Sequence, residues 1–243
     1  MTSSTESAMR PEPLAVPSRA LAIGAHPDDV EFGAGGTLAG WAAAGCEVSI
    51  IVVTDGSKGT WDPSVAPADL AASRAGEQKE AAAALGATGE VVVLDHVDGE
   101  LEYTMALREE MCLWIRRLQP EVVLSHDPWR RYMLHPDHRA AGWGVVDGVV
   151  AARDHLFFPN QGLDKHRPSS VLLWSPDQAD HWEDISPWFE AKLAALRCHS
   201  SQSQSSMSGT DAEAFEARMR EWATEQGHPV GLPLAESFHR IAP

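Results

Sequence analysis

The sequence predicts an α/β protein with a mostly parallel sheet covered on both faces by helices. Three observations predict it: apolar, β-branched runs recur along the chain, alanine-rich or amphipathic stretches with helical spacing separate them, and the two kinds of segment alternate. The first strand is expected over 20–25. The glycine cluster Gly33, Gly35, Gly36 before Thr37 opens a helix over 37–44. That cluster lacks the third glycine of a dinucleotide fingerprint and lies well beyond the strand end, so close packing of the helix on the sheet is its better use. Strands follow over 47–54, 90–94, 122–125 and 171–174, and helices over 68–85, 104–118, 138–152 and 187–197. The serine- and glutamine-rich stretch 199–210 reads as a loop, and 211–226 as a capped helix.

A chain of 243 residues with 44% hydrophobic content can build one full core, so a single domain is expected over 19–243, preceded by a loose Ser-, Pro- and Glu-rich arm over 1–18. The formal charge of −16, from 19 basic and 35 acidic residues, repels phosphate backbones and anionic lipid, which argues against nucleic acid or a membrane surface as partner. A small-molecule substrate fits this charge, and a homo-oligomer is compatible with it. The three cysteines, Cys46, Cys112 and Cys198, are far apart and lack metal-ligand spacing. With no signal-peptide core and no apolar run long enough for a bilayer, they point to a reducing, cytoplasmic setting without disulfides.

In such sheets ligands bind beyond the carboxyl ends of the strands, so the loops 26–36, 55–67 and 126–137 should share one rim. Two of them carry unusual runs: His26-Pro27-Asp28-Asp29 and His135-Pro136-Asp137-His138. Two imidazoles and a carboxylate converging from these loops make an open, three-ligand set for zinc, with Asp28 and His135 as spare acid/base groups. Each run also has an ordinary reading, since Asp after a strand is a common helix cap and surface histidines are frequent. Their joint occurrence favours the metal site. Arg74 and Glu77 stand at ion-pair spacing on a helix, and spacing alone favours a solvated pair. Asp98 is either a turn former or a ligand binder. Trp61 and Trp129 fall in rim loops, where stacking on a sugar and stapling the loop are equally open.

With both runs present, the chain resembles the LmbE-like deacetylases, also called the PIG-L superfamily. Supporting pieces are Gly35-Gly36-Thr37, Thr54-Asp55-Gly56, the 74–86 pattern, Asp98-Gly99, the segment from Lys192 to His199-Ser200-Ser201-Gln202, and Ala235-Glu236-Ser237-Phe238. The resemblance implies a Rossmann-like three-layer sandwich with Zn2+ held by His26, Asp29 and His138, Fe2+ or Co2+ being substitutes. It implies Asp28 as general base, and His135, protonated and oriented by Asp137, as proton donor or oxyanion partner. Arg74 and Asp98 match positions that contact sugar hydroxyls. Some relatives have a tyrosine two residues before the first histidine of the second run; here that position is Met133, with Tyr132 next to it. The function implied is hydrolysis of an N-acyl group, foremost the acetamide of an N-acetylglucosamine-type sugar. The alternatives are an amidase on another N-acyl or thiol-conjugate substrate and a non-catalytic sugar-binding protein of the same fold.

Overall fold

A computed structural model describes residues 13–202 and 212–243. The elements run β1 (Arg19–Gly24), α1 (Asp29–Ala43), β2 (Glu47–Thr54), α2 (Pro67–Ala84), β3 (Val91–His96), α3 (Met105–Leu118), β4 (Val122–His126), α4 (Pro136–Ala152), β5 (Ser170–Trp174), β6 (His181–Asp184), α5 (Phe189–Cys198), α6 (Ala212–Gly227) and β7 (Ala235–Ile241). They form a seven-stranded sheet in the order β3-β2-β1-β4-β5-β7-β6. The first five strands pair in parallel, while β7 pairs antiparallel with both β5 and β6.

Strand side chains alternate between two cores, as the pleat requires. Ala22, Ile50, Leu124 and Leu172 pack with Leu38 of α1, Ala81 of α2 and Ala195 of α5. Leu21, Ile51, Val123 and Leu173 pack with Met111 and Ile115 of α3 and Val145 of α4. The expected three layers are thus present. Two strands were not anticipated, β6 and β7, which form the antiparallel edge beyond β5. Of the expected arm, residues 13–18 are described, and they are docked: the Leu14 N–H donates to Glu183 Oε1 at 3.2 Å and its side chain packs on the first core. The rest of that arm, and residues 203–210 of the expected loop, lie outside the described residues.

α1 begins at Asp29, well before the expected start at Thr37. The cause is tertiary. Gly33 lies under the Trp174 indole, where a Cβ would come within 2.5 Å of the ring, and Gly36 lies under Ile185, where it would come within 2.6 Å. Packing on the glycines outweighs their poor helix propensity. Yet Thr37 does mark a cap within the helix. The N–H groups of Gly36 and Thr37 donate to the buried Glu236 carboxylate at 2.9 and 2.8 Å, and Lys192 Nζ bridges Glu236 and the Phe32 carbonyl.

Candidate active site

β1 lies between β2 and β4, and the chain runs to one side through β2 and β3 and to the other through β4 and β5. The crevice at such a reversal collects the loops leaving neighbouring strands. Here it gathers His26, Asp28 and Asp29 after β1, the 56–59 loop after β2, Asp98 after β3, and His135 and His138 at the start of α4. Together with Arg74 they line a cavity of about 420 Å³. Larger hollows of about 620 Å³ beside α3 and about 560 Å³ below Trp129 contain no comparable cluster among the described residues. Donor chemistry, rather than size, selects the site.

The Asp29 N–H donates to the His26 carbonyl at 3.3 Å, closing the turn that folds the two side chains together. Asp28, between them, has φ of 105°, a left-handed conformation that turns its side chain away from both. Its N–H is held by Gln78 Oε1 at 3.2 Å, and Gln78 Nε2 donates to Glu31 Oε1 at 2.7 Å. His26 Nδ1 is 3.2 Å from His138 Nε2 and 3.3 Å from Asp29 Oδ2, and His138 Nε2 is 3.2 Å from Asp29 Oδ1. Donors about 2.0–2.1 Å from a tetrahedral zinc ion stand about 3.3–3.4 Å from one another, and the spacings of His138 Nε2 from His26 Nδ1 and from Asp29 Oδ1 fit such an ion.

The far side of His26 supports the same reading. Its Nε2 faces Asp137 Oδ2 at 3.0 Å and Asp98 Oδ1 at 3.2 Å, which orients the ring with Nδ1 toward the ligand cluster. Burial disfavours a charged His26, but its hydrogen bonds to the Asp137, Asp29 and Asp98 carboxylates outweigh it and push its pKa up to about 12. The three carboxylates around His26 favour a positive charge there.

Here the structure corrects the expectation for Asp137. Its carboxylate is engaged by His26 and by the N–H groups of Gly99 at 2.7 Å and Leu101 at 3.2 Å, and it forms no hydrogen bond to His135. His135 stacks on His138 with ring centroids 4.8 Å apart, and its Nδ1 is buried without a partner. Burial first, then the neighbouring His26 and His138, lower the His135 pKa, so the pocket favours neutral imidazole rather than the expected cation.

Arg74 is also placed differently from the solvated pair that its spacing favours. It is 3% exposed; Nη1 donates to the Gly56 carbonyl at 3.0 Å, and Nη2 donates to the Pro27 carbonyl and lies 3.5 Å from Asp28 Oδ2. Gly56 permits this, having φ of 66° and no Cβ, which would lie 2.7 Å from Arg74 Nη1. Glu77 instead accepts from Ser200 and Ser201, anchoring the 200–202 segment. Burial raises the Asp28 pKa to about 6, partly opposed by Arg74. Asp98 accepts from the Lys58 N–H at 3.1 Å and, through His26, is held below the ordinary carboxylate range despite its burial. Trp129 packs edge-on against Trp143 at 4.8 Å, which favours the loop-staple role, while Trp61 is exposed. Tyr132 is 89% exposed and is not part of the cavity wall.

Sequence reasoning did not single out Glu31, Gln78 or His126, and named His199 only within the 199–202 segment, where it is buried with Nε2 3.4 Å from Glu31 Oε2. His126 had one signal, a histidine closing an apolar strand at the ligand-binding edge of the sheet. It is buried, and burial holds its pKa down near 4.

The chain has relatives among known proteins. The family model described as PIG-L, GlcNAc-PI de-N-acetylase, matches residues 21–149. The chain is 38% identical to diacetylchitobiose deacetylase of Thermococcus kodakarensis, over 95% of this chain and 85% of that one. It is 31% identical to the 1D-myo-inositol 2-acetamido-2-deoxy-alpha-D-glucopyranoside deacetylase of Actinosynnema mirum, over 78% of this chain and 82% of that one. Among solved structures, N,N'-diacetylchitobiose deacetylase from Pyrococcus horikoshii, complexed with its inhibitor MPG, superposes with a TM-score of 0.86 at 32% identity, covering 93% of this chain and 84% of that one.

Proposed function

Because the chain belongs to the PIG-L family, we propose that it is a metal-dependent hydrolase that removes the N-acetyl group from a small amino-sugar compound, with zinc held by His26, Asp29 and His138. The observation that carries this reading is that His138 Nε2 stands 3.2 Å from both His26 Nδ1 and Asp29 Oδ1, with Asp28 and His135 in the wall of the same cavity. The bound ion would supply Lewis-acid chemistry, acidifying a water and polarising the amide carbonyl.

The chain's own residues do the rest. Asp28, with its pKa raised to about 6, is ionised at neutral pH yet basic enough to take the proton of the attacking water. Neutral His135 offers an N–H to the carbonyl oxygen as negative charge develops there. Asp28 then returns its proton to the departing nitrogen, so that one carboxyl acts first as base and then as acid. Asp137 and Asp98 hold His26 in its ligating orientation. Arg74 and Asp98 line the cavity, so a sugar hydroxyl role for both belongs to this proposal beside their contacts with Asp28 and His26.

The test is acetate release from a panel of N-acetylated sugars and glycosides with zinc supplied. The Asp28→Asn variant should keep its metal and lose about 10²- to 10⁴-fold in turnover. A fully metallated parent protein that releases acetate from none of them contradicts the reading.

A further inference from the structure

Beside the three ligand side chains lies a fourth imidazole with no part in the reaction above. His126 is 3% exposed and stacks on His138 with ring centroids 4.2 Å apart. With Asp29 and His138 it is close enough to share an ion, so its role has to be decided.

The hydrogen bonds decide it. His126 Nδ1 lies 3.1 Å from Trp174 Nε1. An indole N–H can only donate, so Nδ1 accepts, and a neutral imidazole with an accepting Nδ1 carries its proton on Nε2. That nitrogen faces Asp29 Oδ2 at 3.1 Å. The Ala25 N–H also points at Nε2, at 3.2 Å, and the opposite tautomer would satisfy it. That tautomer would oppose two N–H groups at Trp174 and set a lone pair against the Asp29 carboxylate, which loses two contacts to gain one. His126 is therefore a donor to Asp29.

The consequence falls on Asp29. Its Oδ2 receives both the His126 Nε2–H and the His26 backbone N–H at 2.7 Å, which stops the carboxylate rotating. Its Oδ1 is left toward His138 Nε2 at 3.2 Å. Trp174 is itself fixed, its indole lying on Gly33 of α1 where a Cβ would come within 2.5 Å. We propose that Trp174 and His126 form a positioning pair for Asp29: the indole sets the imidazole tautomer, and the imidazole pins one carboxylate oxygen so that the other is presented to the metal. The inference rests on the metal site proposed above and adds two residues to it.

The test is the zinc dissociation constant of the full-length protein, measured by competition with a chromophoric chelator. His126→Leu should weaken binding about 10- to 100-fold, the usual cost of losing a partner behind a ligand. His126→Gln, whose amide nitrogen can reach the place of Nε2, should recover most of that loss. Trp174→Phe keeps a ring on Gly33 but removes the donor, and should weaken binding by about 3- to 10-fold. Thermal unfolding of the metal-free proteins separates lost affinity from lost fold. If His126→Leu does not fold, His126→Gln and Trp174→Phe still decide. If His126 is itself a ligand, Gln will not restore binding and Trp174→Phe will leave it unchanged, and either result overturns the proposal. A zinc-binding parent with an unaffected His126→Leu overturns this inference alone, whereas a parent that binds no zinc overturns the metal site with it.

Discussion

Replacing Arg74 by Gln should move the acid limb of activity rather than lower it uniformly. Among the charges that oppose the burial of Asp28, the guanidinium 3.5 Å from its carboxylate acts most strongly, and the net pKa stands at about 6. At an effective dielectric of about 20, charges this close attract by roughly 5 kcal/mol, a ceiling of about 3.5 pKa units. Observed effects of a neighbouring Arg on a carboxyl group run to about 1–3 units. A shift of about 2 units takes Asp28 from near 6 to near 8, so the ionised fraction at pH 7 falls from about nine-tenths to about one-tenth. The acid limb of kcat/KM in the variant should therefore lie about 2 units above that of the parent, with activity regained as pH rises past it. A bound dication lowers the limb in both proteins, so the diagnostic is the displacement between the two profiles. The assay is acetate release between about pH 5 and about pH 9 with metal content verified at each point. A loss of the same factor at every pH would assign Arg74 to the sugar alone and refute the electrostatic reasoning.

Three further outcomes are expected. Metal uptake has to displace the proton that Asp137, Asp29 and Asp98 hold on His26, so binding should release protons and tighten as pH rises; calorimetry in buffers of different ionisation enthalpy measures this, and uptake without proton release contradicts it. Asp137→Asn should weaken zinc binding by about 10- to 100-fold through His26 and leave the alkaline side of the pH–rate profile in place, whereas a carboxylate serving His135 would change that side first. Lys192→Met should destabilise the fold by about 3–5 kcal/mol in denaturant unfolding, because it removes the ion-pair partner of the buried Glu236 carboxylate and leaves it only the α1 donors, and the double variant with Glu236→Leu should recover much of the loss.

Much of the fold was legible because its central strands are continuous apolar runs, the pattern of strands buried on both faces. β6 and β7 were not, for a physical reason. His181, Glu183 and Glu236 are buried polar groups within short strands, made tolerable by partners far away in sequence: His181 pairs with Glu183 at 2.7 Å, Glu183 accepts from Leu14, and Glu236 takes Lys192 and α1. No local pattern announces such partners. The late start expected for α1 has the same origin, since Glu236 does cap Gly36 and Thr37, but from a strand two hundred residues away.

At the site, sequence spacing correctly indicated which side chains share a face. His135 and His138, at i and i+3 across the start of α4, do stack, and His26 and Asp29 do converge. It did not indicate which donor each carboxylate would take. Asp137 stands two positions from His135, and on a helix such neighbours diverge, so the first turn of α4 carries Asp137 away toward His26 and the 99–101 backbone. Arg74 and Glu77 lie on one face and still part company, because Gly56 leaves room for the guanidinium to pass inward to Asp28. Charge then completes what geometry begins. Asp29, Asp98 and Asp137 all face His26, and three carboxylates around one imidazole are stable only with a cation among them, a proton in the metal-free chain and, on this reading, zinc in the working enzyme.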